Sequence, residues 1–327
     1  MRDGSLRIGR DRKRRRRMKK SEFSFRSSGD MADIRAVKYV PEKKACAILQ
    51  ITHGMDEFID RYDGFAEYLC DRGFLVTGND HLGHGGSVSS KDDWGYFGDN
   101  GNRVLLDDMY KLTETVKKEY PGVPYFLMGH SMGSFYARQY IAEHGDELDG
   151  AIIMGTGFEP PYKLKAAMLM CKVIAAIKGW RHRSNLVNSL AFGAYNKRFE
   201  PARTPSDWLT KDEKIVDWYR SEPRCTFVFT LNGYYNMFTG ILRLHDKELM
   251  NKVPKDLPLF FVSGQEDPVG SFGKEVENSV AYMKDLGVKD VRLKLYPNDR
   301  HEILNETDKE TVYEDLYSWL TEIMNRK

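Results

Sequence analysis

The stretch Gly129-His130-Ser131-Met132-Gly133, preceded by the apolar run Tyr125-Phe126-Leu127-Met128, decides the fold of this 327-residue chain. A G-x-S-x-G pattern between a strand-like run and a helical pattern is typical of a nucleophile elbow, a tight turn with a serine at its tip. The glycines let the two backbones approach closely, and the turn places the N–H of Met132 at a helix N-terminus, where negative charge is stabilised. The bare pattern also fits an ordinary turn, so other residues must decide between the two interpretations.

A serine hydroxyl becomes a useful nucleophile when a histidine accepts its proton and an acid orients that histidine. In chains with such an elbow, the acid and then the histidine follow the serine, each after a later strand. Asp267 follows the apolar run Pro258–Val262, and His301 follows the alternating run Val291–Tyr296. The sequence therefore predicts a catalytic triad of Ser131, Asp267 and His301 rather than three unrelated loop residues.

The oxyanion hole of such a site takes a second N–H donor from the loop after an earlier strand. The β-rich run Ala45–Thr52 is followed at once by His53-Gly54-Met55, and Gly54 permits a turn there. We therefore expect the backbone N–H groups of Met55 and Met132 to hold the oxyanion. His53 is interpreted as a structural histidine that holds this loop, not as a second catalytic base.

Five segments resemble the monoacylglycerol lipase and lysophospholipase branch of the α/β-hydrolases, often called serine aminopeptidase-like. They are His53-Gly54-Met55 with Glu57 and Arg61-Tyr62, Asp80-His81-Leu82-Gly83-His84-Gly85 with Ser87, the elbow itself, Gly264-Gln265-Glu266-Asp267-Pro268, and Arg300-His301-Glu302. The resemblance runs from about Ser21 to the C-terminus. It implies an α/β-hydrolase fold and hydrolysis of single-chain lipid esters, such as monoacylglycerols or lysophospholipids, through an acyl-enzyme on Ser131, with no metal or organic cofactor. Relatives often carry alanine where this chain has Met55, but only the backbone of that residue is used.

The resemblance also implies substrate-binding residues. Relatives place an acidic residue and an arginine near the polar head of the substrate, and by motif these correspond to Glu57 and Arg61; His130 is grouped with them. The alternative for Glu57 and Arg61 is an i,i+4 ion pair on the surface of a helix start. His81 and His84 suggest a metal site, but the glycines beside them favour a packed loop, so no metal site is predicted.

The predicted triad defines the reaction type but not the leaving group. A short-chain esterase, a thioesterase or an aminopeptidase-like hydrolase would use the same three residues. A hydrolase-fold receptor or scaffold without turnover belongs to a different class. Such proteins usually lack a triad member, and in this chain all three positions are filled.

Composition agrees with a soluble enzyme, since 41% hydrophobic and 12% aromatic residues can bury the core of one large α/β domain. No run approaches the roughly 18 consecutive apolar residues of a membrane span. The cysteines show no metal or redox spacing and are expected to be buried free thiols in a reducing compartment; they are Cys46, Cys70, Cys171 and Cys225. We therefore expect a cytoplasmic enzyme whose substrate is a lipid ester. Peripheral contact with a membrane surface is compatible with this expectation, and no binding of nucleic acid is expected.

Residues 1–20 differ from the rest of the chain. They carry eleven Lys or Arg against Asp3 and Asp11, a local charge of about +9 in a chain of net charge +2. The run Arg12–Arg17 has no apolar face, so the segment is expected to be a disordered basic tail. It is suited to nucleic acid or to an anionic membrane. However, the stretch from Met18 to Phe23 resembles an ordinary bacterial start, and we favour the interpretation that residues 1–17 are a mis-assigned start or vector sequence.

Strand-like and helix-like segments alternate from Ser21 onward, which predicts a mostly parallel eight-stranded sheet with helices on both faces. Residues 156–255 interrupt this rhythm and are too long for a structureless loop, so they are predicted to be a helical cap inserted between core segments 21–155 and 256–327. The clearest cap helix is Lys163–Trp180. Its apolar stripe is expected either to pack onto the cap or core or to form a wall for an acyl chain; it consists of Ala166, Met170, Val173, Ile174 and Ile177.

Overall fold

The computed structural model describes residues 18–326, which form one eight-stranded sheet. The strands are β1 (Met18–Arg26), β2 (Asp33–Pro41), β3 (Ala47–Thr52), β4 (Phe74–Asn79), β5 (Tyr125–His130), β6 (Gly150–Met154), β7 (Leu259–Gly264) and β8 (Val291–Tyr296). Their order across the sheet is β1-β2-β4-β3-β5-β6-β7-β8. The β1–β2 and β2–β4 pairs are antiparallel and all other pairs are parallel, which confirms the predicted mostly parallel sheet.

Helices cover both faces of this sheet. The α-helices of residues 18–326 are α1 (Asp63–Cys70), α2 (Gly101–Glu119), α3 (Met132–His144), α4 (Pro161–Lys178), α5 (Asn185–Phe192), α6 (Glu213–Ser221), α7 (Leu231–Arg243), α8 (Lys247–Met250), α9 (Lys274–Asp285) and α10 (Lys309–Met324). One core cluster contains side chains of α2, α3, α7 and α9, and a second contains side chains of α1 and α10. Because both faces are covered, every residue of β3 to β7 is buried, as parallel sheets require.

The first strand begins earlier than the sequence predicted. Met18 pairs with Pro41 and Lys20 with Tyr39 in the β1–β2 ladder, so the expectation of a disordered segment extending to residue 20 is wrong for residues 18–20. Backbone pairing does not need apolar side chains, and the ammonium of Lys20 binds the carboxylates of Asp60 and Asp63 at 2.5 and 2.8 Å. The rest of the predicted tail, residues 1–17, lies outside the described residues.

The segment between β6 and β7 contains the helices α4 to α8. Helix α4 packs against α7, and the buried residues of α4 are Leu164, Cys171 and Ala175. The expectation that the predicted stripe packs inward is wrong for Val173 and Ile177, whose exposed fractions are 55% and 82%, and Ala166 is also exposed. The helix is apolar on several sides, so the position of α7, rather than the pattern of α4, decides which side is buried. An acyl-wall role remains a prediction for the half-buried Met170 and Ile174.

Two further observations concern compartment and membrane. All four cysteines are free thiols, and three are buried, but Cys46 is exposed just before β3, so the expectation that every thiol is buried is wrong there. None of the helices in residues 18–326 has the combination of length and apolar character needed to cross a bilayer.

Candidate active site

Ser131 lies at a sharp turn between β5 and α3. Its backbone has φ 53° and ψ −121°, a strained conformation for a residue with a side chain. A Cβ atom on Gly129 would lie 2.4 Å from the carbonyl oxygen of Gly133, and one on Gly133 would lie 2.1 Å from that of Thr52. Both glycines are therefore required by close backbone approach, which is the geometry of a nucleophile elbow.

Asp267 and His301 meet at the same edge of the sheet as Ser131. Asp267 follows β7 and His301 follows β8, while Ser131 follows β5. The Nδ1 of His301 lies 2.9 Å from Oδ2 of Asp267, and both side chains are buried. Asp267 also accepts hydrogen bonds from the hydroxyl of Ser263 and the N–H of Val269. This arrangement places the proton of neutral His301 on Nδ1 and leaves Nε2 as the base, the orientation that serine attack requires.

The loop after β3 lies directly against Ser131, the predicted nucleophile. A Cβ atom on Gly54 would lie 3.0 Å from Cβ of Ser131 and 2.7 Å from Oε1 of Glu57, so the loop contacts both. Met55 follows in this loop, and Met132 begins α3, where N–H groups lack partners within the helix. The two predicted oxyanion donors therefore lie on the two segments that flank Ser131.

His53 holds the loop after β3, residues 53–57, here called the oxyanion loop after its predicted role. Its Nδ1 donates to the carbonyl oxygen of Gly54 at 2.7 Å, and its Nε2 accepts the N–H of His81 at 2.9 Å. Burial lowers the pKa of His53 to about 3, aided by the nearby His84, so the ring is neutral. This supports the structural interpretation of His53. Within residues 18–326, no group of His, Cys, Asp and Glu side chains is arranged to hold a metal ion.

Glu57 is the centre of a buried polar network behind the site. Its Oε1 accepts hydrogen bonds from the N–H of Gly54 at 2.5 Å, from Tyr62 at 2.9 Å and from Nδ1 of His130 at 3.0 Å. Burial opposes ionisation of Glu57, but the His130 hydrogen bond and the charge of Arg61 outweigh it and lower its pKa. The carboxylate thus ties the oxyanion loop to the residue that precedes Ser131.

Arg61 extends this network to the loop that carries His301. Its guanidinium binds both carboxylate oxygens of Glu302 at 2.7 Å and Oε2 of Glu57 at 3.0 Å. These three side chains are only 3–4% exposed, so the alternative of a surface pair is wrong: the Glu57–Arg61 pair exists, but in the interior. The cavity beside the network has a volume of about 10 Å³, room for about one water molecule.

His130 donates hydrogen bonds from both ring nitrogens. Nδ1 faces Glu57, and Nε2 lies 3.3 Å from the backbone carbonyl oxygen of His301. Burial would lower the pKa of His130, but the hydrogen bond and charge of Glu57 outweigh it and raise the pKa. The ring therefore favours the imidazolium form, with its centroid 4.7 Å from that of His301.

Two residues that contact this site were not among the predicted functional residues. Glu302 was recognised only as part of the motif around His301, and its pairing with Arg61 spans 241 positions. Trp208 lies in the predicted cap, and its ring centroid is 5.0 Å from that of His301. No periodicity or spacing in the sequence relates Glu302 to Arg61 or Trp208 to His301. The only signal in the sequence was the motif around His301, which contains Glu302.

The sheet, the elbow and the Asp267–His301 pair together define an α/β-hydrolase. A family model described as serine aminopeptidase, S33, matches residues 43–308, and the chain belongs to this family. The resemblance to its monoacylglycerol lipase branch is confirmed, and the protein is a carboxylic ester hydrolase.

Named relatives cover most of the chain. The chain is 24% identical over 308 residues to a monoacylglycerol lipase of Mycolicibacterium smegmatis, covering 92% of this chain and 97% of the relative. It is 25% identical over 283 residues to the monoglyceride lipase of Homo sapiens, covering 84% and 82%. Among solved structures, a thermostable carboxyl esterase from Bacillus coagulans in complex with glycerol matches with a TM-score of 0.87 and 31% identity, covering 93% and 99%.

Proposed function

We propose that this enzyme hydrolyses esters of single-chain lipids, monoacylglycerols or lysophospholipids, through an acyl-enzyme on Ser131. The observation that carries the proposal is the buried 2.9 Å contact between Asp267 and His301 at the sheet edge that holds the strained Ser131 elbow. Relatives named as monoglyceride and monoacylglycerol lipases support the lipid class.

Each group has a defined task at each step of this mechanism. The Oγ of Ser131 attacks the ester carbonyl carbon while Nε2 of His301 accepts its proton, and Asp267 stabilises the imidazolium that forms. The N–H groups of Met55 and Met132 donate to the oxyanion. The imidazolium protonates the departing alcohol. Water then attacks the acyl-enzyme with His301 as base, which releases the fatty acid and restores the serine.

The buried network supports a positioning role for Glu57, Arg61 and His130, because their polar atoms are occupied by one another. Glu57 holds Gly54 in the oxyanion loop, and Arg61 holds Glu302 beside the catalytic histidine. The polar head of the substrate would have to enter a space of about one water molecule to reach these groups directly. We propose that they set the relative positions of the two loops instead.

Labelling and a substrate panel test the proposal. A fluorophosphonate probe should modify Ser131, which a scaffold without turnover would not allow. Esters of increasing chain length should then show kcat/KM rising by up to about fourfold per methylene, because each buried methylene contributes about 0.8 kcal/mol. Monoacylglycerols and lysophospholipids compared at equal chain length identify the head group.

A short-chain esterase is the second candidate, favoured by the 31% identical carboxyl esterase of Bacillus coagulans. For such an enzyme, kcat/KM would fall steadily beyond butyrate esters. Thioesters and aminoacyl amides in the same panel test the thioesterase and aminopeptidase-like alternatives.

We also propose that the cap contacts a lipid surface. One side of α4 and one side of α5 expose large apolar side chains, here called the apolar cap surface: Tyr162, Leu169, Val173, Ile177, Leu186 and Leu190, each at least 55% exposed. Exposed Lys165, Lys172 and Lys178 lie on the same helix as the first four. Exposed apolar side chains on a helix that also exposes lysines are an arrangement that binds an anionic lipid surface.

Charge on the apolar cap surface should weaken vesicle binding. The double substitution Val173→Glu with Ile177→Glu is expected to lower affinity for vesicles containing phosphatidylglycerol by roughly 10²-fold, since burying each such side chain contributes about 1.5 kcal/mol or more. Co-sedimentation measures this. Hydrolysis of a water-soluble ester should be unchanged, and Thr115→Glu, at an exposed position of α2, is the control. Equal vesicle binding by the double variant and the control would contradict the proposal.

A further inference from the structure

A segment of the cap lies across the loop that carries the catalytic histidine. Residues 208–211, here called the cap strap, run beside residues 299–306, here called the histidine loop. The carbonyl oxygen of Leu209 accepts the N–H of Glu302 at 2.7 Å, and that of Trp208 accepts the N–H of His301 at 3.4 Å. The backbone of the predicted base is therefore hydrogen-bonded to the cap itself.

Ion pairs hold the cap strap in this position. The ammonium of Lys211 lies 2.8 Å from Asp299, and its backbone N–H donates to Glu306 at 3.1 Å. Both acidic side chains are fully buried, and burial raises the pKa of each, whereas Lys211 opposes that rise. Removing the strap would leave two buried carboxyl groups without their cation, which is strongly unfavourable.

Trp208 brings an aromatic face to the catalytic histidine. Its ring centroid lies 5.0 Å from that of His301, with 40° between the planes. The indole is fixed by Tyr195, whose ring centroid is 4.9 Å away, and its backbone N–H donates to Asn196 at 2.9 Å. The imidazole is thus bounded by Trp208 and by the His130 ring, while its Nδ1 is bound to Asp267.

We propose that Trp208 is a positioning residue for His301 and that the cap strap belongs to the catalytic apparatus rather than to a detachable lid. By itself, the hydrogen bond to Asp267 would let the imidazole swing about that contact, and the packed indole, together with the His130 ring, limits this motion. A displacement of about 1 Å at a reacting group costs up to about 10²-fold in rate. The inference rests on the proposed triad, since His301 must be the base for its position to matter.

Kinetics of Trp208 variants on short water-soluble esters test the inference. Trp208→Ala is expected to lower kcat by about 10²-fold with KM nearly unchanged, equally for acetate and octanoate esters. Trp208→Phe keeps an aromatic ring against the imidazole and should recover most of this loss. Trp180→Ala removes a cap tryptophan that packs on Tyr235 instead, and it should leave kcat unchanged.

One further measurement reports on the Ser131–His301 pair directly. The rate of fluorophosphonate labelling needs an assembled pair and should fall in parallel with kcat in Trp208→Ala. Trp208→Leu keeps an apolar side chain at this position but removes the aromatic ring, and it should show the same two losses. The test therefore stands on Trp208→Leu even if Trp208→Ala does not fold.

Several results would overturn the inference. An unchanged kcat in folded Trp208→Ala or Trp208→Leu, or a loss confined to long-chain esters, would show that Trp208 only lines or closes the cap. These outcomes leave the proposed triad intact, provided that Ser131 still labels. Full activity in Ser131→Ala would instead refute the proposed function itself.

Discussion

Ser131→Ala is expected to lower kcat by about 10⁶-fold, and Asp267→Asn by about 10⁴-fold, with the fold retained in both. Alanine removes the only atom that forms the acyl-enzyme. Asparagine can replace the hydrogen bonds of Asp267, but it presents an uncharged group to Nδ1 of His301 and cannot stabilise the imidazolium. Initial rates on one good ester, with thermal melting of each variant, measure these effects.

The adjacent acid provides a matched control for this prediction. Glu266→Gln changes a carboxylate next to Asp267 without touching its contact with His301, so kcat should stay within about twofold. A large loss in Glu266→Gln, together with an unchanged rate in Asp267→Asn, would assign the orienting role to Glu266. The double variant Ser131→Ala with Asp267→Asn should be no slower than Ser131→Ala alone, because the triad acts as one unit.

Glu57→Ala is expected to lower the free energy of unfolding by about 3–5 kcal/mol, because it leaves the buried cations of Arg61 and His130 without their shared carboxylate. Glu57→Gln keeps an acceptor for Gly54 and should cost less. Denaturant unfolding measures both. The exposed pair of Glu22 with Arg35 is the matched control: Glu22 is 59% exposed, and Glu22→Ala should cost less than about 1 kcal/mol.

The loss of unfolding free energy caused by Glu57→Ala should also depend on pH. The pKa of His130 is raised above its ordinary 6.5, so its contribution is complete below that value and is lost as pH rises through the raised value. The pKa of Glu57 is lowered from 4.5, so its contribution is present above pH 4.5 and is lost as pH falls through the lowered value. The difference between the unsubstituted protein and Glu57→Ala should therefore be greatest between about pH 4.5 and 6.5. A difference equal to that of Glu22→Ala at every pH would contradict a buried network.

The sequence by itself determined the elbow, the sheet and the order along the chain of the three residues proposed to be catalytic. The elbow could be predicted because its turn requires glycine at positions 129 and 133, where a Cβ atom would collide with the backbone. The positions of Asp267 and His301 could be predicted because each residue follows a strand, and parallel strands place their carboxyl ends at one edge of the sheet. These features depend on near neighbours in the chain, where pattern and structure correspond.

Only the tertiary structure decided which side of α4 is buried, that Arg61 joins Glu57 to Glu302 in the interior, and that Trp208 packs on His301. These contacts join residues far apart in the chain, and no period or motif marks such partners before the elements are docked. Helix α4 is apolar on several sides, so the neighbouring helix determines which of its faces is buried. The Glu57–Arg61 pair has the spacing of a surface pair, but it is buried because the loop of Glu302, 241 positions away, covers it.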